Sequence, residues 1–161
     1  MRVLCCLDGT NVGQLSKATG MLSAIEPPTV GLLYVVDIGP RREIEHRRER
    51  FLRPSGPSGS REHEMQQAER AAAEDILNEG RRYFPHGESL QRQGRPEREI
   101  VNAAAEWRAD LVIICPRAEY GGTPQIGPKS VGHVARFVID HAPCPVLLVR
   151  RLAREQFPVP R

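Results

Sequence analysis

Short, unbroken apolar runs are the feature that most constrains the fold of this chain. Residues 3–7 read Val-Leu-Cys-Cys-Leu, residues 111–115 read Leu-Val-Ile-Ile-Cys, and a third run lies within residues 30–38. A strand with one solvated face alternates apolar and polar residues, but these runs do not alternate. The pattern therefore predicts strands covered on both faces, as in a parallel sheet. Each run is far shorter than the ~20 residues of a membrane-spanning helix, so we predict no membrane span.

Helical segments separate these strands. Apolar spacing and helix-start residues predict helices at 12–25, at 61–83, from Pro96 onward, and at 130–141. A polar strand at 89–93 and an apolar strand at 146–149 complete the order. Strands that alternate with helices require right-handed crossovers, which predicts a doubly wound (Rossmann-like) α/β domain with a mainly parallel sheet. Ligands of such domains bind beyond the carboxyl ends of the strands, where the strand order reverses.

An abrupt change of composition marks residues 39–60. Arg, Glu, Pro, Gly and Ser dominate there, and residues 54–60 read Pro-Ser-Gly-Pro-Ser-Gly-Ser, which disfavours regular structure. We interpret the segment as a flexible insert, with a helical turn at 44–52, inside one domain at 1–151 that a tail at 152–161 follows. Six arginines from Arg41 to Arg53 make the insert basic. It is either a solvated loop or a site for phosphate, anionic lipid or nucleic acid.

The net charge, the spacing of the cysteines and histidines, and a search for catalytic motifs limit which classes of function the sequence supports. The net charge of +3 is too small to indicate nucleic acid as a partner by itself. The four cysteines include no C-x-x-C pair and the five histidines are scattered, so we predict no metal site and no disulfide framework. No G-x-S-x-G, H-E-x-x-H or Ser-His-Asp order occurs, so no catalytic residue is assigned. The N-terminus lacks signal-peptide features, which predicts a cytoplasmic protein.

Three segments that follow strands are candidates for ligand binding: residues 8–11, the residues from 37 onward, and residues 116–130. Asp8 follows the first apolar run, where it either caps the next helix or accepts a hydrogen bond from a ligand. The loop at 117–129 has the glycine spacing of a P-loop in Gly122 and Gly127, but Pro128 moves Lys129 and Ser130 out of register. That loop instead favours a looser anion site, made by Lys129 and the N-terminus of the following helix.

Four segments together resemble the universal stress protein family. They are residues 2–10 with their Asp-Gly-Thr turn, residues 32–37 (Leu-Leu-Tyr-Val-Val-Asp), residues 94–114, and residues 141–149 (His-Ala-Pro-Cys-Pro-Val-Leu-Leu-Val). The resemblance covers the chain outside the insert. It implies a five-stranded parallel sheet in the order 3-2-1-4-5 and a homodimer formed through the last strand, residues 146–149.

The resemblance also implies an adenine-nucleotide site. Family members that bind ATP have a G-x2-G-x9-G-(S/T) motif after the fourth strand, and here that motif is degenerate. Gly132 aligns with its final glycine and His133 with its Ser/Thr. Three alignments stay open for the other glycines: Cys115 with Ala118, Glu119 with Gly122, or a shifted version that uses Gly127 and Ser130. The nucleotide-binding residues implied are Leu7, Asp8, Val35, Ile114, Cys115, Ala118, Lys129, Ser130, Gly132, His133 and Val134.

The function expected from these observations is a non-catalytic stress-response or signalling protein. Its ligand would be ATP, AMP or another adenine nucleotide; the residues by themselves require no cofactor. Two alternatives remain open. One is a nucleotide-independent dimeric scaffold whose Arg-rich insert binds an acidic partner, and the other is a slow ATPase.

Overall fold

A computed structural model describes residues 1–23, 27–38, 59–116 and 131–150, with side chains of the second helix described from residue 63 onward. The strands in this part of the chain are β1 (Arg2–Leu7), β2 (Thr29–Asp37), β3 (Glu88–Gly94), β4 (Leu111–Ile114) and β5 (Val146–Leu148). The helices are α1 (Val12–Leu22), α2 (Gly59–Tyr83), α3 (Pro96–Glu106) and α4 (His133–His141).

The strands form one parallel sheet in the order β3-β2-β1-β4-β5. β1 is central: Leu4 lies beside Gly31 of β2 on one side and beside Val112 of β4 on the other. The predicted doubly wound α/β fold and its strand order are therefore confirmed. The chain winds outward in both directions from β1, so the order reverses between β1 and β4.

Successive residues of β1 contribute to two different cores. Val3, Cys5 and Leu7 pack with α1 and α2 on one face of the sheet, whereas Leu4 and Cys6 pack with α3 and α4 on the other. Side chains alternate across a strand, so a strand covered by helices on both faces must be apolar at every position. This packing accounts for the unbroken apolar run at 3–7.

Three helix boundaries differ from the prediction, and the first is the end of α1, which lies at Leu22 rather than at 25. α2 begins at Gly59, inside the predicted insert, because glycine and serine are well tolerated at a helix N-terminus. α4 begins at His133 rather than at 130, because Gly132 before it has a left-handed backbone with φ of 82° that cannot continue the helix. Residues 39–58, with the predicted turn at 44–52, and the tail at 152–161 lie outside the described residues.

The four cysteines differ in burial. Cys5, Cys6 and Cys115 are buried, whereas Cys144 is half-buried, and all four are free thiols. Within the described segments, no group of three His, Cys, Asp or Glu side chains is arranged to hold a metal ion. No helix in the same segments combines the length and the apolar character needed to cross a bilayer.

Contacts around Trp107 hold the amino end of the sheet together. The Arg2 guanidinium lies 4.1 Å from the centroid of the indole ring, and Arg2 Nε donates to the Trp107 carbonyl at 2.9 Å. The backbone N–H of Arg2 donates to Asp110 Oδ2 at 2.6 Å, and Trp107 Nε1 donates to Glu88 Oε2 at 2.8 Å. The ring covers Gly31 so closely that a Cβ there would lie 2.9 Å from Trp107 Cζ2. Glycine is therefore required for this packing.

The two longest connections between elements both lie at the carboxyl end of the sheet. At the amino edge, helices lead into strands through the short segments 84–87, 107–110 and 142–145. At the carboxyl edge, β2 leads to α2 through residues 38–58 and β4 leads to α4 through residues 115–132. Both long connections therefore leave from the edge where a doubly wound domain binds its ligands.

Candidate functional site

The carboxyl ends of β1 and β4 meet where the strand order reverses. Leu7 ends β1 with Asp8 after it, and Ile114 ends β4 with Cys115 after it. Sequence reasoning assigned all four to ligand binding, and the structure brings them to one edge of the sheet. Leu7, Ile114 and Cys115 are buried in the two cores, whereas Asp8 is exposed. Of the four, only the Asp8 side chain is accessible to a ligand.

The turn after β1 holds Asp8 in a defined position. Asp8 Oδ1 accepts hydrogen bonds from the Thr10 backbone N–H at 2.7 Å and from the Thr10 hydroxyl at 3.0 Å. Gly9 between them has φ of 87°, which other residues adopt only at a cost, and it packs against Ile76 of α2. The carboxylate is thus positioned by its own turn.

Asn11, which the sequence did not single out, anchors this turn. Its side chain is buried: Oδ1 accepts from the Asp8 backbone N–H at 3.1 Å, and Nδ2 donates to the Cys6 carbonyl at 2.9 Å. Asn11 is also the N-cap residue of α1, so the interpretation of Asp8 as the helix cap is wrong. The Asp8 carboxylate is instead hydrogen-bonded to Thr10, which lies one residue before the N-cap Asn11.

The two helices that begin at the switch point favour anions at their N-termini. Neither α1 nor α4 has an acidic residue in its first turn or a hydrogen bond from its N-cap side chain. α3, in contrast, has Glu97 and Glu99 in its first turn. Unbonded backbone N–H groups and the positive end of the helix dipole attract negative groups. The left-handed Gly132 before α4 permits close approach of backbone to a ligand.

His133 faces an acid that the sequence analysis missed. His133 Nε2 lies 3.6 Å from Glu97 Oε1, and the two side chains are 76% and 12% exposed. Glu97 follows Pro96 at the start of α3, where an acidic residue usually compensates the helix dipole, so its sequence position gave no sign of a second contact. The pair brings the N-termini of α3 and α4 together. A ligand at His133 would therefore meet a carboxylate beside it.

The end of β2 completes the described part of the site. Val35 is half-buried and packs on the α3 and α4 side of the sheet, as does Val134 of α4. Tyr34 packs on the opposite face. Partial burial raises the pKa of the Tyr34 hydroxyl, with smaller contributions from the negative charges of Glu69 and Asp8. Tyr34 therefore stays a neutral hydrogen-bonding group beside the site.

Three assigned residues, Ala118, Lys129 and Ser130, fall within residues 117–130, which lie outside the described part of the chain. The same holds for Glu119, Gly122 and Gly127, on which the competing glycine alignments depend. The assignment of all three to phosphate binding stays a prediction.

The family model described as the universal stress protein family matches residues 1–150. The chain belongs to this family. A curated universal stress protein from Thermus aquaticus is 36% identical over 86 residues, which are 53% of this chain and 58% of that protein. The matched region thus spans little more than half of the relative's length.

Solved structures of the family share the fold. Universal stress protein UspA from Lactobacillus plantarum superposes with a TM-score of 0.67 at 21% identity, covering 93% of this chain and 97% of its own. A family protein from Arabidopsis thaliana, solved with AMP bound, superposes with a TM-score of 0.55 at 17% identity, covering 96% of this chain and 95% of its own. At these identities the likeness concerns the fold.

Proposed function

We propose that this universal stress protein is a non-catalytic stress-response or signalling protein that binds an adenine nucleotide, AMP or ATP, at the switch point. The observation that carries the proposal is the exposed Asp8 carboxylate, held by its turn at the edge of the sheet where α1 and α4 begin, neither of which has an acidic residue in its own first turn. The AMP in the Arabidopsis family protein supports the choice of ligand class.

Each part of the nucleotide has a matching group. The Asp8 carboxylate accepts hydrogen bonds, which suits ribose hydroxyls or the adenine amino group. Val35 offers an apolar surface for the base. The phosphate fits the N-terminus of α4 at Gly132 and His133, to which Lys129 and Ser130 would add a cation and a hydroxyl. Leu7, Ile114, Cys115, Ala118 and Val134 complete the proposed site through shape and backbone groups.

We expect Asp8→Ala to weaken AMP binding by about tenfold to a hundredfold, the range for a lost hydrogen bond to a charged group. Titration calorimetry on nucleotide-free protein with AMP and with ATP measures the change. Asp140→Ala is the matched control, because Asp140 is an exposed aspartate near the C-terminal end of α4. Equal losses in both variants would count against the assignment of Asp8. No heat with either nucleotide at millimolar concentration would overturn the proposed function and favour a nucleotide-independent scaffold.

We further propose a homodimer through β5. β5 pairs with β4 and ends the described sheet, so its outer backbone groups face away from the sheet. Its residues are Val-Leu-Leu, and Leu147 is 37% exposed. An apolar edge strand of this kind is a template for pairing with a second copy.

A charge on this edge is expected to dissociate the dimer. Leu147→Lys should raise the dissociation constant at least about tenfold, because a lysine on an edge strand opposes edge-to-edge pairing. Sedimentation velocity over a range of concentrations measures it. Met21→Lys, on an α1 position that is 79% exposed, is the control and should leave the dimer intact. A monomeric wild-type protein, or equal effects of the two lysines, would contradict the interface.

A further inference from the structure

Glu97 is an unusual side chain for its position at the start of α3. Among the described residues, it is the only Asp, Glu, Lys or Arg that is buried, with 9% of its surface exposed. Burying a carboxylate is costly unless nearby groups compensate its charge. The positive end of the α3 dipole provides some compensation, but half-buried Glu99 occupies the same first turn. The dipole by itself therefore does not account for a second, more deeply buried acid.

The Glu97 carboxylate lies at the N-terminus of α4. Its Oε1 is 3.6 Å from Nε2 of His133, which is the first residue of that helix. α3 and α4 cover the same face of the sheet, and Val35, the proposed apolar surface for the base, lies on that face. The carboxylate therefore adds a negative charge at the helix end to which the proposed nucleotide site assigns the phosphate.

This charge acts on a bound phosphate whatever the protonation state of His133. A protonated His133 would attract the phosphate, and Glu97 offsets that attraction; beside a neutral His133, Glu97 repels the phosphate directly. The Glu97 side chain is only 12% exposed, so water and salt screen its charge less than that of a surface carboxylate. The phosphate of AMP carries about −1.5 to −2 charges near neutral pH, and the further phosphates of ATP add about two more. The repulsion therefore increases with the number of phosphates.

We propose that Glu97 determines the nucleotide specificity of this protein, by favouring AMP over ATP. The inference rests on the proposed nucleotide site and names which nucleotide that site takes. Glu97 acts through its charge beside the phosphates, whereas Asp8 and Val35 receive the nucleoside. Adenosine, which has no phosphate, should therefore bind independently of the charge at position 97.

The two acids in the first turn of α3 provide a matched pair of variants. Glu97→Gln removes the charge beside His133 and nearly keeps the shape of the side chain. Glu99→Gln removes the same charge from the same turn, but Glu99 packs at the end of β3, where a Cβ built on Gly94 would lie 2.6 Å from Glu99 Cγ. β3 lies two strands from β1. Both variants lose one acid that compensates the α3 dipole, so a difference between them reports the contact with α4.

Titration calorimetry on nucleotide-free protein with adenosine, AMP and ATP measures the specificity. Divalent cations are left out and the ionic strength is kept low, because both mask the charges. The wild type should bind AMP at least as tightly as ATP. Glu97→Gln should shift the ratio of the AMP and ATP dissociation constants by at least about fivefold in favour of ATP, whereas Glu99→Gln should shift it by less than about twofold, because its charge is more distant. Glu97→Asp, which keeps the charge, should keep the preference for AMP.

The outcomes separate this inference from the proposed function, and far-UV circular dichroism of all variants keeps the comparison among folded proteins. If adenosine and AMP bind the wild type, but Glu97→Gln leaves the ratio unchanged or Glu99→Gln shifts it as much, the specificity role of Glu97 is overturned and the nucleotide site stands. An equal gain in affinity for adenosine and ATP in Glu97→Gln would overturn it too, because that gain would reflect a changed shape rather than charge. If neither the wild type nor Glu97→Gln binds any of these ligands at millimolar concentration, the proposed function fails, and this inference fails with it.

Discussion

Replacing Trp107 with alanine is expected to lower the free energy of unfolding by about 3–5 kcal/mol, the range for deleting a large aromatic side chain from a core. Trp107 is 8% exposed and belongs to the core under α3 and α4. Its ring fills the space above Gly31 and lies against the Arg2 guanidinium. Alanine at this position would leave a cavity in the core. It would also remove the indole N–H that donates to Glu88, so the loss of packing and the loss of a hydrogen bond both lower the free energy of unfolding.

Urea denaturation followed by far-UV circular dichroism measures this loss. Trp107 is the single tryptophan of the chain, so tryptophan fluorescence cannot follow the Trp107→Ala variant. Gly31→Ala tests the same contact from β2 and should destabilise by about 1–3 kcal/mol, since its Cβ would crowd the ring. Met21→Ala, at a position 79% exposed, should change stability by less than about 0.5 kcal/mol. A similarly small change in Trp107→Ala would show that the ring does not stabilise the fold.

Stability is expected to fall steeply at alkaline pH because of Cys5. Burial raises the pKa of its thiol from an ordinary 9.0 to about 11. Burial also raises the pKa of Cys6, well above its ordinary value. Below pH 9 both states of the chain keep the Cys5 proton, and between pH 9 and 11 only the folded state keeps it. Stability therefore falls as pH rises through this window, by about 2–3 kcal/mol for Cys5.

Comparison with Cys5→Ala isolates this contribution. Urea denaturation at pH 8 to 11 gives the free energy of unfolding of the wild type and of the variant. The wild-type value minus the variant value should decrease by about 2–3 kcal/mol across this pH range. Cys144→Ala is the control: its thiol is half-buried and its pKa is raised by a less complete burial, so the same difference should change less. A wild-type minus Cys5→Ala difference that is constant with pH would contradict the assignment.

The sequence predicted the sheet well because a physical pattern determines it. An unbroken apolar run is required wherever helices cover both faces of a strand, so residues 3–7 and 111–115 indicated central strands before any contact was known. The contact between Trp107 and Gly31 could not be predicted. It joins residues far apart in the chain, and its glycine is needed only because of how closely the ring approaches.

The candidate site was predicted in outline only. Asp8 was singled out, but Asp8, Thr10 and Asn11 are all common helix caps, and sequence does not distinguish among them. The choice depends on the burial of Asn11 against the Cys6 carbonyl, a tertiary contact. The approach of Glu97 to His133 likewise depends on how α3 packs on α4. Apart from Cys115 and Gly132, the residues that could align with the motif glycines fall within 117–130, outside the described residues, and their alignment stays open.

The position of the two long connections, both at the carboxyl end of the sheet, bears on how such a protein can diversify. A residue inserted in β1 would move every following side chain of the strand to the opposite face of the sheet, and so into the wrong core. A longer turn at the amino edge would shift a helix relative to the strand that it packs on. Closure entropy grows slowly with the length of a connection, so the two long connections, 38–58 and 115–132, can change length at less cost. Both leave from the carboxyl edge of the sheet, where a doubly wound domain binds its ligands. A change of length there can therefore alter that edge of the domain without disturbing either core.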